Sequence, residues 1–412
     1  MSRTDRNHTR IGVVGGGFAG LWAAVSAARR LAAEKDGEAS VMLISRDRYL
    51  TIRPRLYEAN PEPSRIPLAS VLGPAGAGFQ QASASAIDPT NRRILVDDDR
   101  ADSREISYQR LILATGSETI PLPIDGASEY SFNIDSLDGS RALDRHLARL
   151  GGIPADVARE SVVIVGAGFT GIELATAIRD RLALHWGRQR AAAARVVLIE
   201  RGQAVGPGFG KDSRPYITEA LYAQRVEVRL GERIDRVRPQ AVWLASGERI
   251  ETSTTIITAG LRASTLARMA AGAKLDDLGR LHVNRALQVE GMAHVYAAGD
   301  IARAYADDEH LAPMSCQHAI LMGKVAGHNA AGELLGLAPL PYRQPDHVTC
   351  LDLGSTSALY TEGWDRHVRL AGIEAKRLKR RINTDWILPP QGDRDAIFEA
   401  VRSDLRRSNI YN

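Results

Sequence analysis

At 412 residues, 44% of them hydrophobic and 25% charged, the chain has the composition of a folded protein, with room for two nucleotide-sized domains and a smaller piece rather than one core. The net charge of +4 is spread along the chain apart from KRLKRR (376–381), read as a solvated helix face ahead of a membrane surface or an acidic partner; no recognition motif accompanies it, which argues against nucleic acid. Cys316 and Cys350 form no CxxC, no apolar run reaches the ~18 residues of a spanning helix, and MSRTDRNHTR (1–10) lacks a signal peptide's apolar core, so a cytoplasmic setting is expected, with any membrane contact peripheral and at the inner face.

IGVV (11–14) reads as a strand. Gly15, Gly17 and Gly20 follow with GxGxxG spacing, an alanine-rich helical pattern covers 21–33, and VMLI (41–44) is the next strand. In a dinucleotide cradle Gly15 makes the tight turn, Gly17 admits a pyrophosphate and Gly20 lets helix pack on strand, while the helix N-terminus favours the anion. Ser45 and Arg46 stand where an acidic residue is expected, leaving the ribose to a hydroxyl or to backbone. Arg53 and Arg55 flank Pro54 in the next loop, as surface arginines or as ligands of a pyrophosphate or an anionic acceptor. LILATGS (111–117) reads as a strand ending in a glycine turn.

The pattern then returns: VVIV (162–165), Gly166, Gly168 and Gly171, a helix over 172–184, and VVLI (196–199). One GxGxxG is weak evidence, but two inside βαβ units are strong. Glu200 closes the second unit, where a carboxylate accepts both ribose hydroxyls and repels a 2′-phosphate; NADH is favoured over NADPH, although Arg201 alongside could accommodate a phosphate. Glu173 is expected in the first turn of the second helix, where an acid complements the helix dipole.

IITAGL (256–261) supplies Gly260, and HVYAAGDIA (294–302) supplies Gly299 and Asp300. PMSCQHA (313–319) precedes a helix expected over 323–335, with Ser315 as a natural N-cap. Cys316 is read as a small buried residue before a redox-active thiol of depressed pKa. His318 and His328 lack metal-ligand companions, so no metal is assigned. In DRDAIFEAVRSDLRR (393–407), Ile397, Val401 and Leu405 recur at helical spacing beside Arg402, Arg406 and Arg407; a helix packed on the protein's own surface is preferred to an interfacial anchor.

The order glycine turn, ATG, glycine turn, AG, GD resembles the two-dinucleotide-domain flavoproteins, the pyridine nucleotide-disulfide oxidoreductase-like superfamily. The resemblance implies an α/β fold of two Rossmann-like domains, the NAD domain (126–279) inserted in the FAD domain (1–125 and 280–340). A C-terminal region (341–412) would serve the acceptor side, membrane-surface contact or a homodimer. FAD and NADH are the implied cofactors, with Asp300 on the flavin's ribityl chain and Ala84, Thr115 and Gly116 as further cofactor-binding candidates.

Within that superfamily, GFTGIELA (168–175), RPRLYE (53–58) and KRLKRRINTDWI (376–387) are similar to strings of type II NADH dehydrogenases: GPTGVELA, QPLLYE and a lysine-bearing helix ending in tryptophan. This resemblance implies an FAD-dependent NADH dehydrogenase passing electrons to a quinone or similar two-electron acceptor. It implies Glu173 near nicotinamide and acceptor, delivering protons, and Gln317 touching the flavin or acceptor at a helix start under the flavin's pyrimidine. Glu173, Gln317 and Cys316 are therefore the candidate catalytic residues.

Two features depart from the family. Its AQxAxQ string reads CQHAIL (316–321), with Cys316 for the first alanine and Leu321 for the second glutamine, and its C-terminal membrane helices are missing or shortened. The first departure motivates an alternative acceptor, a ferredoxin-like protein or a small metabolite. Ser45 motivates a non-catalytic alternative, a nucleotide-binding sensor or assembly factor. A sulfide-oxidising relative is disfavoured, because Cys316 and Cys350 do not obviously supply the cysteine pair it needs.

Overall fold

The computed structural model describes residues 8–33, 40–98, 103–270 and 272–404; Leu405, Arg406 and Arg407 lie outside the described residues. The first lobe opens with β1 (His8–Val14), α1 (Phe18–Ala33) and β2 (Val41–Ser45), followed by β3 (Gly78–Gln81), the hairpin β4 (Ser83–Asp88) and β5 (Arg93–Asp97), and the long β6 (Ser103–Leu113). β3, β2, β1 and β6 run parallel in that order, and the hairpin adds antiparallel to the first half of β6. Ile11, Val13 and Val14 are at most 2% exposed, so both faces of β1 are covered, which explains its continuous apolar run.

A short strand, β7 (Ser117–Thr119), then leads into the second lobe. This comprises α2 (Leu137–Gly151), β8 (Ser161–Val165), α3 (Phe169–Trp186), β9 (Arg195–Glu200), β10 (Val226–Leu230) and β11 (Thr254–Ile257), with a small antiparallel sheet over 234–251. β10, β9, β8 and β11 form an all-parallel sheet. The chain leaves through β12 (Leu261–Ala263), antiparallel to β7, so two paired strands carry both crossings. β13 (Val295–Ala297) then rejoins the first sheet, parallel to the last residues of β6. The second α/β unit is thus inserted in the first. Leu266, Ala267 and Ala270, expected in the inserted unit, pack in the core of the first lobe, because the return crossing is complete at Ala263.

Helix α4 spans Cys316–Leu334 and starts seven residues before the expected 323. It lies on α1 through two glycines: a Cβ on Gly323 would stand 2.2 Å from Ala19 O, and one on Gly327 2.1 Å from Ala23 O. No larger residue permits that approach.

The C-terminal region is a three-stranded antiparallel sheet, β14 (Val348–Asp352), β15 (Ala358–Glu362) and β16 (His367–Ala371), followed by α5 (Gly372–Arg381), a π-turn over Ile382–Trp386 and α6 (Arg394–Asp404). Ile397 and Val401 are fully buried in the first core. Lys324 Nζ donates to Ala400 O at 2.9 Å, fastening α6 to the body, so these apolar positions face protein. Among the described residues no helix is long and apolar enough to cross a membrane. The basic run is not a uniform solvated face. Arg377, Arg380 and Arg381 are exposed, but Lys376 and Lys379 are 8% and 4% exposed.

Candidate active site

The two glycine turns have the same anatomy. Gly15 and Gly166 adopt φ of +116° and +104°. A Cβ on Gly20 would stand 1.8 Å from Gly15 O, and one on Gly171 the same distance from Gly166 O. Gly17 and Gly168, by contrast, meet nothing within 4 Å. A turn that needed glycine only for packing would crowd all three positions. The open second position at the mouth of a helix N-terminus fits a pyrophosphate approaching the backbone.

At the first cradle Ser45 is buried, and its Oγ accepts from Asp47 N at 3.3 Å; a Cβ on Gly16 would stand 2.6 Å from that oxygen. Arg46 is exposed. Ala84 is half-buried on β4, two residues past Ala82, whose N–H donates to Ser45 O at 3.0 Å. At the second cradle Glu200 is 8% exposed, with its carboxylate accepting from Ala167 N and Gly202 N, both at 2.8 Å. It is thereby fixed at the carboxyl end of β9 beside the glycine turn. Gly116 and Gly260, with φ of +68° and +91°, flank the crossing strands. A Cβ on Gly260 would stand 2.9 Å from Ile120 O, so close backbone approach explains that glycine.

Because β6 and β13 are adjacent and parallel, their carboxyl ends bring Thr115 and Ser117 beside Gly299 and Asp300. Ser117 Oγ donates to Asp300 Oδ2 at 2.6 Å. Burial pushes the Asp300 carboxyl up, against the Ser117 hydrogen bond and the nearby Arg53. Arg53 binds Ser117 and Asp135. Arg55 forks onto Glu58 through Nε and one terminal nitrogen at 2.8–3.1 Å, so much of its guanidinium is paired with a carboxylate of its own loop.

Among the buried side-chain atoms of the described residues that have no hydrogen-bond partner are Gln80 Nε2 on β3, Thr115 Oγ1, Ser315 Oγ and Gln317 Nε2. Buried polar groups are nearly always paired, so these fit the polar edges of a bound cofactor. Ser315 precedes α4 as expected, but its side chain makes no cap bond.

Glu173 is the fifth residue of α3, beyond the first turn in which it was expected. It is 3% exposed, and its Oε1 accepts from Asp352 N at 2.9 Å and Lys379 Nζ at 2.8 Å. Burial raises its carboxyl to about 7 in spite of the lysine. Lys379 is also buried, which disfavours its charge, yet the Glu173 carboxylate outweighs this and holds its ammonium above the usual range; Nζ also donates to Cys350 O at 2.9 Å. One turn earlier Lys376 Nζ donates to both oxygens of Asp352, at 2.7 and 2.6 Å, and Tyr57 OH donates to Asp352 Oδ2 at 2.7 Å. This charged joint unites the second lobe, the RPRLYE loop and the C-terminal helix. Sequence reading missed Lys376, Lys379, Asp352 and Tyr57; the available signal was the i, i+3 spacing of the lysines on the helix face that also carries Ala375 and Ile382.

Cys316 is partly exposed, and burial of its thiol raises it to about 11, which overturns the depressed pKa considered for it. Cys350 is likewise raised by burial, to about 12. His318 is fully buried, hydrogen-bonded through Nδ1 to Tyr342 OH at 2.8 Å, and pushed down to about 3 by burial.

The family described as pyridine nucleotide-disulphide oxidoreductase matches residues 9–323. An NADH dehydrogenase-like protein of Mycobacterium tuberculosis is 44% identical over 396 residues, covering 95% of this chain and 98% of its own. A demethylphylloquinone reductase of Synechocystis is 28% identical, covering 93% and 97%. Among solved structures, NDH2 of Plasmodium falciparum in complex with NADH superposes with a TM-score of 0.74 at 13% identity, covering 97% of this chain and 99% of that one, a likeness of fold.

Proposed function

The chain belongs to the pyridine nucleotide-disulphide oxidoreductase family, and on that premise we propose that it oxidises NADH with bound FAD and reduces a quinone or similar small two-electron acceptor. The observation that carries this reading is the pair of cradles, each open at its middle glycine. Names of relatives support the donor and the acceptor: one is an NADH dehydrogenase-like protein and another reduces demethylphylloquinone.

The first cradle would hold FAD and the second NADH, and bound FAD would supply two-electron transfer between the donor and the acceptor. The residues of the chain position and stabilise. The N-termini of α1 and α3 would hold the two pyrophosphates. Asp300 would accept from the ribityl chain, and Glu200, held by two backbone amides, would accept from the adenosine ribose of NADH. The positive end of α4 would favour negative charge on a reduced flavin. Gln317 Nε2, buried without a partner, donates to ring or acceptor. Glu173, with a carboxyl raised to about 7, holds a proton near neutral pH for the reduced acceptor. Cys316 fills the space of an alanine.

An anaerobic titration of the purified protein tests this. It should be yellow, bleach with one equivalent of NADH, and regain its colour when a soluble quinone is added. A colourless protein, or a bleached one that no quinone re-oxidises, would overturn the reading.

A further inference from the structure

Arg53 sits where the two lobes join, and its guanidinium is shared among groups of both lobes. It donates to Ser117 O at 3.3 Å and to Ser117 Oγ at 3.1 Å. It pairs with Asp135 Oδ1 and stands 3.9 Å from Asp300 Oδ2. Ser117 is the first residue of crossing strand β7 and itself donates to Asp300. Asp135 belongs to the second lobe, one residue before Ser136, whose Oγ caps α2. One cation thus serves two carboxylates from different lobes, with the crossing strand between them. The Arg53 and Asp135 side chains are 35% and 30% exposed, against 15% for Asp300. Arg280 is the other cation acting on Asp300, and it is already held by Asp276 at 2.8 Å.

We propose that Arg53 is a positioning residue for the bound flavin: it keeps Ser117 and Asp300 in register for the ribityl chain and, as a cation shared by Asp135 and Asp300, sets the flavin's reduction potential. This rests on the FAD reading above. Reduction adds negative charge to the flavin, and Arg53, Asp135 and Asp300 together carry −1. Removing Arg53 makes that −2 and disfavours the reduced form; removing the charge of Asp135 brings it to zero and favours it. The two substitutions therefore act in opposite directions, whereas a merely structural role would not give them opposite signs.

The test uses the holoenzyme and two readouts besides turnover, the midpoint potential by anaerobic dye equilibration and the dissociation constant of FAD by fluorescence. Arg53→Gln should favour oxidised over reduced flavin about tenfold, a shift of ~30 mV to lower potential for a two-electron couple, and weaken FAD binding about tenfold. Arg53→Lys, which keeps the charge without the fork, should keep the potential while weakening FAD binding. Asp135→Asn should raise the potential. If wild-type protein binds no FAD, the functional reading itself fails. If wild type is yellow and neither Arg53→Gln nor Asp135→Asn moves the potential, or both move it the same way, this inference alone is overturned. Should Arg53→Gln fail to fold, Asp135→Asn decides: an upward shift supports the proposal, and no shift or a downward one sinks it.

Discussion

Lys379 Nζ donates to Glu173 Oε1 at 2.8 Å with both side chains no more than 5% exposed, which joins the helix of the second glycine cradle to the C-terminal helix through a buried ion pair. Burial raises the Glu173 carboxyl to about 7, against roughly 4.3 in an unfolded chain. The folded state therefore binds a proton that the unfolded chain has released. Stability from this group is complete below about pH 4.3 and is lost as pH rises through about 7. Glu173→Gln should flatten that part of the stability profile, which otherwise falls by ~4 kcal/mol. It should also remove an inflection near neutrality from the rate with a soluble quinone. Thermal melts and steady-state rates between pH 4.5 and 8.5 check both; an unchanged inflection would separate Glu173 from proton handling.

Two lysines in one basic run are predicted to behave unlike their neighbours. Lys376→Met leaves Asp352 buried with only Tyr57 and backbone as hydrogen-bond partners, and breaking one side of a buried pair costs about 3–5 kcal/mol. Arg377→Ala, on the exposed face of the same helix, should stay within about 0.5 kcal/mol. Adding Asp352→Asn to Lys376→Met should recover part of the loss, because it removes the stranded charge. Chemical denaturation of the four proteins measures this. Equal losses for Lys376→Met and Arg377→Ala would contradict the burial of Lys376.

The two halves of that joint show what could be read in advance. The glycine turns and the residues at strand ends were legible because their demands are local: Gly15 and Gly166 need positive φ, and Gly20 and Gly171 face the carbonyl five residues earlier. The insertion of one α/β unit in the other was legible from the order of the strings. Lys376 and Lys379 were not, because their carboxylate partners lie 24 and 206 residues away and a run of six residues with five cations resembles a solvated face. Arg53 was visible as an unusual residue, but its partners come from 64 and 82 residues downstream. The early start of α4 was hidden by Gln317 and His318, polar residues whose burial follows from tertiary packing.

The glycine anatomy predicts a division of labour between positions two residues or more apart. Gly17→Ala and Gly168→Ala have room for the added methyl group, so the protein should fold with near-normal stability while losing affinity for FAD and NADH respectively. Gly20→Ala and Gly171→Ala drive a carbon to within 1.8 Å of a carbonyl oxygen and should destabilise their lobes whether or not a nucleotide is present. Melting curves of apoprotein and ligand-bound protein separate the outcomes. Equal destabilisation by Gly168→Ala and Gly171→Ala would mean that the second turn is a packing device.

In the proposed reading Glu200 would control the choice of donor directly. Its carboxylate accepts from Ala167 N and Gly202 N, which leaves its remaining lone pairs for ribose hydroxyls. Glu200→Ser removes those acceptors and strands two backbone donors, each costing about 1–3 kcal/mol when buried. The dissociation constant of NADH should rise at least tenfold, and preference over NADPH should shrink because the repelling charge has gone. Exposed Arg201, the next residue, would then be free to meet a 2′-phosphate, so Glu200→Ser with Arg201→Ala should bind NADPH more weakly than Glu200→Ser alone. Calorimetry with both nucleotides decides the point: unchanged NADH affinity in Glu200→Ser would remove the carboxylate from donor recognition.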